Sequence, residues 1–448
     1  MEGKSTMNLI ERYRAIRART RQIAAPLSEA DCQVQSMPDA SPIKWHLAHV
    51  TWFFETFVLE RFEPGFAPHH PAFRVLFNSY YNGVGEQHPR AQRGLITRPG
   101  LAEVLAWREA VDARIAALLA GPADPALAAL VELGLQHEQQ HQELMLTDVL
   151  HLLSCNPLAP VYRPRPTSAS APPVALTWVA PALPMDQGHG GGLVEIGHDG
   201  EGFAFDNESP RHRQFLRPYA LANRLVTQGE WAAFIADGGY RDPRWWLSAG
   251  WDWVRANRIE APLYWRRESA QTESWHAFGL HGLVPLEAHA PVAHISCFEA
   301  DAFAHWWSQQ HATPGHGPAR LPTEAEWEHA AAPLVRDALP GANLADLSDS
   351  ADRALCPRPA RPGVAGLQQL FGDAWEWTAS AYTAYPGFRP PPGAIGEYNA
   401  KFMVNQTVLR GGSCATPRDH IRASYRNFFP TDTRWQFSGL RLACDLLA

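Results

Sequence analysis

The sequence predicts two domains of different fold class, an all-α four-helix bundle followed by an α+β domain. The 448 residues exceed what one hydrophobic core usually organises. Long stretches with apolar residues at helical spacing are confined to the first third of the chain. A Pro- and Ala-rich segment then precedes a part with frequent Gly, Trp and Pro. We therefore place the helical domain at residues 1–156, a linker at 157–184 and the α+β domain at 185–448.

Four helices are predicted in the first domain. Apolar residues recur at helical spacing in the first and third, and Ser41-Pro42 is typical of a helix start, with Ser as N-cap. Asp124-Pro125 opens the fourth helix in the same way. Four helices joined by unequal loops are typical of a bundle whose core can hold a metal. The predicted segments are Met7–Ala24, a helix from Ser41 through Phe53, Leu101–Ala120, and Asp124 to about Ser154.

The second domain contains helical periodicity only in short segments, near 228–237, 297–310 and 323–332. Thr323 and Glu326 form a capping-box pattern at the start of the last of these. The remaining apolar runs are short and are separated by Gly and Pro. This pattern favours an α+β domain with much irregular loop.

Composition excludes several classes of function. Hydrophobic residues make up 46% and charged residues 19%, as in an ordinary globular protein. The net charge of −7 argues against a nucleic-acid partner, and no run of apolar residues is long enough for a membrane span. The six cysteines have no paired spacing, and the charged N-terminal segment lacks the apolar run of a secretory signal. We therefore expect a cytoplasmic protein with reduced thiols.

The most informative motif is Gly134-Leu-Gln-His137-Glu-Gln-Gln-His141-Gln-Glu-Leu-Met-Leu146. Residues four apart lie on one face of an α-helix, so both imidazoles can reach one metal ion. A third ligand is offered by His46-Leu-Ala-His49, and spacing does not choose between these two histidines. Asp148 continues the stripe of His137 and His141. The alternative is that the pair are surface histidines, since a chain with 20 His contains such spacings by chance.

Motifs along nearly the whole chain resemble a known fusion of two domains. The first part, with Lys44–His49 and the His137/His141 motif, resembles the DinB-like metal-binding bundle. The second part resembles the formylglycine-generating-enzyme (sulfatase-modifying factor, C-type-lectin-like) domain. In this order the pair resembles the ergothioneine-biosynthesis sulfoxide synthases (EgtB/OvoA-like, including the selenoneine synthase SenA). The motifs of the second part are Arg320-Leu-Pro-Thr-Glu-Ala-Glu-Trp-Glu328, Gly372-Asp-Ala-Trp-Glu-Trp-Thr378, Leu409-Arg-Gly-Gly-Ser413 and Ser438-Gly-Leu-Arg-Leu442.

The resemblance implies a mononuclear non-haem Fe(II) oxygenase. The family's three iron ligands match His49, His137 and His141, which leaves His46 as a packing or supporting residue. Three neutral ligands leave open positions for O2, a thiolate and an imidazole nitrogen. The family couples a sulfur donor to the imidazole carbon of hercynine with O2 as oxidant. A Gln of the family hydrogen-bonds that imidazole, and it matches Gln140.

Further roles follow from the resemblance. In the branch with a Tyr-Tyr pair, a tyrosine donates a proton or hydrogen bond during the reaction with O2, and it matches Tyr80 or Tyr81. An Arg pair binds the donor's carboxylate and matches Arg90 and Arg93. The alternatives are that the tyrosines only cap the loop, that the arginines are a surface pair and that Gln140 is solvated.

Aromatic side chains of the second domain are candidates for holding the quaternary ammonium of hercynine. We select Phe428, Phe429 and Trp377, although most aromatics of such a domain form its core. Family members that use gamma-glutamylcysteine carry an acidic residue after an aromatic in this loop, whereas this chain has Phe428-Phe429. The difference favours cysteine or a selenosugar as donor, and selenoneine synthesis is the alternative activity.

Three other functions remain as alternatives. A formylglycine-generating oxidase would use a late cysteine pair, for which Cys414 and Cys444 are the candidates. A DinB-type thiol transferase would use three histidines but would not need the second domain. A non-catalytic binding protein would leave the histidines and arginines without a role.

Overall fold

The computed structural model describes residues 7–165, 172–186, 190–267, 274–346 and 355–447. The chain forms two compact units. Of the described residues, the first unit contains 7–163, Asp346 and 392–398, and the second unit contains the others. Among the helices of these residues, none is both long enough and apolar enough to cross a membrane.

The first unit is all-α, as predicted. Asn8 caps α1 (Leu9–Ala24) by accepting a hydrogen bond from the Glu11 amide at 2.9 Å, and Asp124 caps α7 (Pro125–Ser154) by accepting one from the Ala126 amide at 2.8 Å. A π-helical turn, 54–59, directly follows α3 (Ile43–Phe53). The α-helices of the first unit are α1 (Leu9–Ala24), α2 (Glu29–Gln33), α3 (Ile43–Phe53), α4 (Glu60–Phe62), α5 (Phe73–Leu76), α6 (Leu101–Leu119) and α7 (Pro125–Ser154).

The start of α3 differs from the prediction. Pro42 is its N-cap and no side chain caps the helix, so Ser41 as N-cap is wrong. The Ser41 hydroxyl instead accepts a hydrogen bond from Arg93 Nη1 at 2.9 Å, and the Ser41 amide donates to Asp148 Oδ2 at 2.8 Å. These two tertiary contacts replace the local cap.

A buried ionic network connects three long helices of the first unit. Arg17 of α1 donates to Asp112 of α6 at 2.6 Å and to Glu138 of α7 at 2.9 Å. Arg108 of α6 also donates to Glu138, and the hydroxyl of Thr20 does so at 2.6 Å. Since Glu138 is completely buried, α7 is covered by protein on more than its histidine face.

Gly134 allows α7 to approach the segment that follows α3. A Cβ at this position would lie 2.6 Å from Cε1 of Phe54, too close for a real contact. The glycine is therefore retained in mid-helix despite its low helix propensity. His137 lies one turn after Gly134 on the same helix.

The second unit contains four small sheets and five α-helices within the described residues. The strands are β1 (Trp178–Val179), β2 (Met185–Asp186), β3 (Gly191–Ile196), β4 (His212–Leu216), β5 (Tyr219–Ala222), β6 (Trp265–Arg267), β7 (Trp275–Gly279), β8 (Gly282–Pro285), β9 (Trp375–Ala381), β10 (Thr407–Arg410), β11 (Asn427–Phe429), β12 (Ser438–Gly439) and β13 (Ala443–Asp445). The largest sheet has the strand order β11-β10-β9-β12, and the other three are β1-β5-β13, β2-β3-β4 and β6-β7-β8. The helices are α8 (Gln228–Ala236), α9 (Ser248–Asn257), α10 (Cys297–Gln310), α11 (Glu324–Ala331) and α12 (Val335–Ala338).

The motifs that carried the resemblance form ion pairs with one another inside this unit. Arg441 Nε donates to Glu376 Oε2 at 2.9 Å, and both side chains are fully buried. Arg410, also fully buried, donates to Glu324 Oε2 at 2.9 Å. These motif residues therefore hold strands and α11 together, and the predicted α+β class is confirmed.

The predicted linker is partly built into the fold. The Tyr162 hydroxyl donates to the Ile23 carbonyl at 2.6 Å, and β1 pairs with β5. Residues 166–171 lie outside the described residues. All six cysteines are described and are free thiols.

Candidate metal centre

His137 and His141 lie one turn apart on α7, and both are buried. His49 of α3 is completely buried and completes the group. Its ring centroid is 5.0 Å from that of His137 and 4.8 Å from that of His141. One nitrogen of each residue lies within 4.8 Å of the others, so the structure brings the three predicted ligands together.

The three imidazoles are suited to bind a cation in their neutral form. Burial lowers the pKa of His137 to about 3. Burial, together with the neighbouring His137, holds the pKa values of His49 and His141 well below the usual range. All three rings are therefore uncharged at pH 7, each with a lone pair available to a metal.

Their hydrogen bonds leave the inward nitrogens unused. His49 Nδ1 donates to the Phe77 carbonyl at 2.7 Å, which directs the lone pair to Nε2. His49 Nε2 and both nitrogens of His137 are buried and have no hydrogen-bond partner in the described part of the chain. Buried polar atoms are normally paired, so the donor set fits a metal ion.

His46 lies beside these three histidines, but both of its ring nitrogens form hydrogen bonds. Its Nδ1 lies 2.8 Å from His141 Nδ1, and its Nε2 lies 3.0 Å from Asp148 Oδ2. Both ring nitrogens are thus occupied by protein atoms. The geometry therefore groups His49, and not His46, with His137 and His141, a distinction that spacing left open.

Gln140 and two predicted tyrosines also lie in the first unit. Gln140 is half-buried and accepts a hydrogen bond from the hydroxyl of Tyr398. The rings of Tyr80 and Tyr81 stack at 4.6 Å. Burial, with Tyr80 beside it, raises the pKa of Tyr81 well above the usual range, so this phenol stays protonated at pH 7.

The two predicted arginines differ in environment. Arg93 is 4% exposed and its guanidinium carbon lies 3.4 Å from the ring centroid of Trp45. Burial and the neighbouring Arg90 lower the pKa of Arg93 to about 9, so the group remains charged at pH 7. No carboxylate among the described residues forms an ion pair with it. Arg90 is exposed and donates to the Asp39 carbonyl.

Comparison with known proteins identifies the family. Residues 12–145 match the DinB superfamily, and residues 189–446 match the sulfatase-modifying factor enzyme 1-like domain. A hercynine oxygenase of Mycolicibacterium thermoresistibile is 34% identical and covers 93% of this chain and 90% of its own. A hercynine oxygenase of Mycolicibacterium smegmatis is 32% identical, and the match covers 93% of this chain and 94% of that relative. A hercynine oxygenase of Mycobacterium tuberculosis is 34% identical, and the match covers 96% of this chain and 97% of that relative. The chain belongs to the hercynine oxygenase family.

Membership of the hercynine oxygenase family makes the chain an enzyme of the oxygenase class, and it confirms the resemblance stated from the motifs. Each half also matches the expected domain family. The roles of individual residues remain predictions.

The three aromatic residues predicted to hold the quaternary ammonium of hercynine lie in the second unit. Trp377 is fully buried and donates from Nε1 to the Ile295 carbonyl at 2.9 Å, so no ring face is accessible, and this position does not support a substrate contact. The Phe428 ring stacks on that of Tyr382 with 3.9 Å between the ring centroids, and the centroids of Phe429 and Trp435 are 6.1 Å apart. Both phenylalanines are half-buried.

Sequence reasoning missed Tyr398. Its ring centroid lies 5.7 Å from that of His137, within the first unit. The preceding residue anchors the segment, since the Glu397 carboxylate accepts hydrogen bonds from the amides of Asn82 at 3.0 Å and Gly83 at 2.6 Å. No local pattern marks Tyr398, because it lies in a Gly- and Pro-rich stretch without periodicity.

Proposed function

We propose that the enzyme couples a sulfur or selenium donor oxidatively to the imidazole carbon of hercynine, with O2 as oxidant and Fe(II) as cofactor. The observation that carries this proposal is the group His49, His137 and His141, three neutral and buried imidazoles. Nitrogens of His49 and His137 have no hydrogen-bond partner among the described residues. Its support from comparison is that three near full-length relatives are named hercynine oxygenases. We expect it to act in the cytoplasm, where its six free thiols stay reduced.

His49, His137 and His141 would hold the iron. When bound, Fe(II) supplies redox chemistry with O2 and orients the two substrates, because three protein ligands leave positions open. The residues around it hold these ligands in place and exclude water. His49 is fixed by the Phe77 carbonyl, while the Phe53 ring lies 4.8 Å from the His137 ring.

Arg93 would bind the carboxylate of the donor. A guanidinium buried without an anionic partner is unfavourable, and a carboxylate supplies both the charge and the hydrogen-bond acceptors. Arg93 Nη1 is held by Ser41 at 2.9 Å, and its Nε is buried and has no partner among the described residues. Arg90, being exposed, adds positive charge nearby rather than a closed binding site.

Gln140 would hydrogen-bond the imidazole of hercynine, and a phenol would supply a proton. Tyr398 donates to Gln140, so this hydroxyl would share the amide with the substrate. Tyr80 and Tyr81 stay candidates for the proton donor, as predicted, and Tyr398 joins them. The expected contact of Phe428 and Phe429 with the trimethylammonium group stays a prediction.

The donor is expected to be cysteine or a selenosugar, since Phe428-Phe429 replaces the acidic residue of members that use gamma-glutamylcysteine. Selenoneine synthesis is the alternative within the family. A formylglycine-generating reaction receives no support from the cysteines, because burial raises the pKa of Cys444 to about 11 and leaves the thiol protonated at pH 7.

One experiment tests both the cofactor and the reaction. The purified chain is loaded anaerobically with Fe(II), mixed with hercynine and exposed to O2 with cysteine, gamma-glutamylcysteine or a selenosugar, and products are identified by mass. We expect a new carbon–sulfur or carbon–selenium bond with at least one donor. A chain that binds iron but modifies hercynine with none of them would refute the reaction, and copper or no metal in the active protein would refute the cofactor.

The matched control is His151→Gln. This half-buried histidine lies on the same helix, where Ser36 Oγ and His151 Nδ1 are 2.8 Å apart, but it is outside the ligand group. We expect it to retain metal and turnover, whereas His141→Ala loses both. An equal loss in the two variants would show that the defect arises from the helix and not from the metal centre.

A further inference from the structure

His46 and Asp148 form a buried hydrogen-bonded chain behind one expected metal ligand. His141 Nδ1 and His46 Nδ1 are 2.8 Å apart, and His46 Nε2 and Asp148 Oδ2 are 3.0 Å apart. His46 is 2% exposed and Asp148 is 6% exposed. The proposed reaction assigns no role to either residue.

The partners fix the direction of these hydrogen bonds. A carboxylate only accepts, so His46 donates from Nε2 to Asp148. In neutral His46 the other nitrogen, Nδ1, then accepts, and the proton between the rings belongs to His141 Nδ1. His141 is left with its lone pair on Nε2, the nitrogen that can face a metal.

The three expected ligands are supported in different ways. His49 donates to a main-chain carbonyl, that of Phe77, whose position follows the backbone. His137 has no hydrogen-bond partner in the described part of the chain. Of the three, His141 alone is oriented by other ionisable side chains among the described residues, so its tautomer depends on them.

The hydrogen bonds of His46 and Asp148 also connect two helices. Asp148 lies on α7 two turns beyond His141, and its Oδ2 accepts the Ser41 amide at 2.8 Å just before α3 begins. His46 lies on α3, one turn before His49. The carboxylate therefore holds the start of α3 and, through His46, the ring of a ligand on α7.

We propose that His46 and Asp148 are positioning residues that select the Nε2-binding tautomer of His141 and thereby set the metal affinity of the centre. This inference rests on the proposed function, because it requires that the three histidines bind a metal. Hydrogen-bond partners behind metal-bound histidines typically change affinity about 10- to 100-fold when removed. The same range is expected here.

The test measures metal binding by the full-length protein without turnover. Co(II) is titrated anaerobically into each metal-free variant, and its visible absorption bands report both affinity and ligand geometry. His46→Leu and Asp148→Ala are expected to weaken Co(II) binding about 10- to 100-fold and to alter the bands. His46→Gln should recover most of the affinity, since its amide oxygen can accept from His141 while its nitrogen donates to Asp148.

Two controls separate positioning from packing. His151→Gln should bind Co(II) like the unaltered protein, and circular dichroism should show that each variant tested is folded. If His46→Leu does not fold, His46→Phe takes its place, because it keeps a ring at this position and removes both the acceptor for His141 and the donor to Asp148. We expect that variant to bind less tightly than His46→Gln.

The outcomes are distinct. Failure of the unaltered protein to bind Co(II) or Fe(II) would refute the proposed function itself. Normal binding by the unaltered protein together with equal affinity and equal spectra in folded His46→Leu or His46→Phe and in Asp148→Ala would overturn this inference alone. Weakened binding that His46→Gln restores would support it, since a purely structural role would lower stability without this pattern.

Discussion

Replacing Glu138 by glutamine removes a negative charge that lies between two buried guanidiniums of the first unit. Arg17 Nη1 donates to it at 2.9 Å, and Arg108 donates to its other oxygen. Burial alone would raise the pKa of Glu138, but Arg108 and Arg17 outweigh it and hold the pKa at about 2, below the usual 4.5. This difference corresponds to about 3 kcal/mol of stability at pH 7.

The sign of the pH dependence follows from the lowered pKa. The contribution of Glu138 is complete above pH 4.5 and is lost as the pH falls toward 2. We therefore expect Glu138→Gln to lower the free energy of unfolding by about 3 kcal/mol at pH 7, and by about 1 kcal/mol less at pH 3.5. Unfolding by guanidinium chloride at pH 7 and pH 3.5 measures this difference between the variant and the unaltered protein.

Glu132→Gln is the matched control. Glu132 also lies on α7 and pairs with Arg12 at 2.5 Å, but the two side chains are 22% and 21% exposed. A partly exposed pair should contribute less than about 1 kcal/mol. Similar losses in the two variants, or a Glu138→Gln loss that is the same at pH 7 and pH 3.5, would refute the reasoning.

Three further predictions concern the metal centre and its surroundings. His137→Ala removes a ligand whose two nitrogens lack other partners, so the protein should lose its iron, measured by plasma mass spectrometry; equimolar iron would reject the assignment. Arg93→Gln should raise the KM of the donor about 10- to 100-fold and leave that of hercynine unchanged, because a charged hydrogen bond is lost; an equal effect of Arg90→Gln would contradict this. Gly134→Ala places a methyl group 2.6 Å from the Phe54 ring, and overpacking of about 1–3 kcal/mol should exceed the helix-propensity gain of about 1 kcal/mol. A rise in unfolding free energy would show that the ring yields.

The helices of the first unit could be predicted because their signals are local. Asp124-Pro125 marks the start of α7, and α6 ends one residue before the predicted Ala120. The spacing of His137 and His141 likewise places two imidazoles on one face. Each of these inferences needs only neighbours in sequence.

Tertiary contacts explain what the sequence could not supply. Ser41 looks like an N-cap, but Arg93 and Asp148 use its polar groups. His46 and His49 are equivalent by spacing, and in the structure their partners Asp148 and Phe77 distinguish them. Such partners lie far away in sequence, so no local pattern reports them.

Tyr398 contacts a helix that was synthesised long before it. Its hydroxyl bonds Gln140, 258 positions earlier in the chain. At a ribosomal rate of about 5–20 residues per second, roughly 13–50 s separate the appearance of the two residues. During that interval a nascent chain would carry the histidines without this tyrosine beside them, so the surroundings of the centre are completed only late in translation.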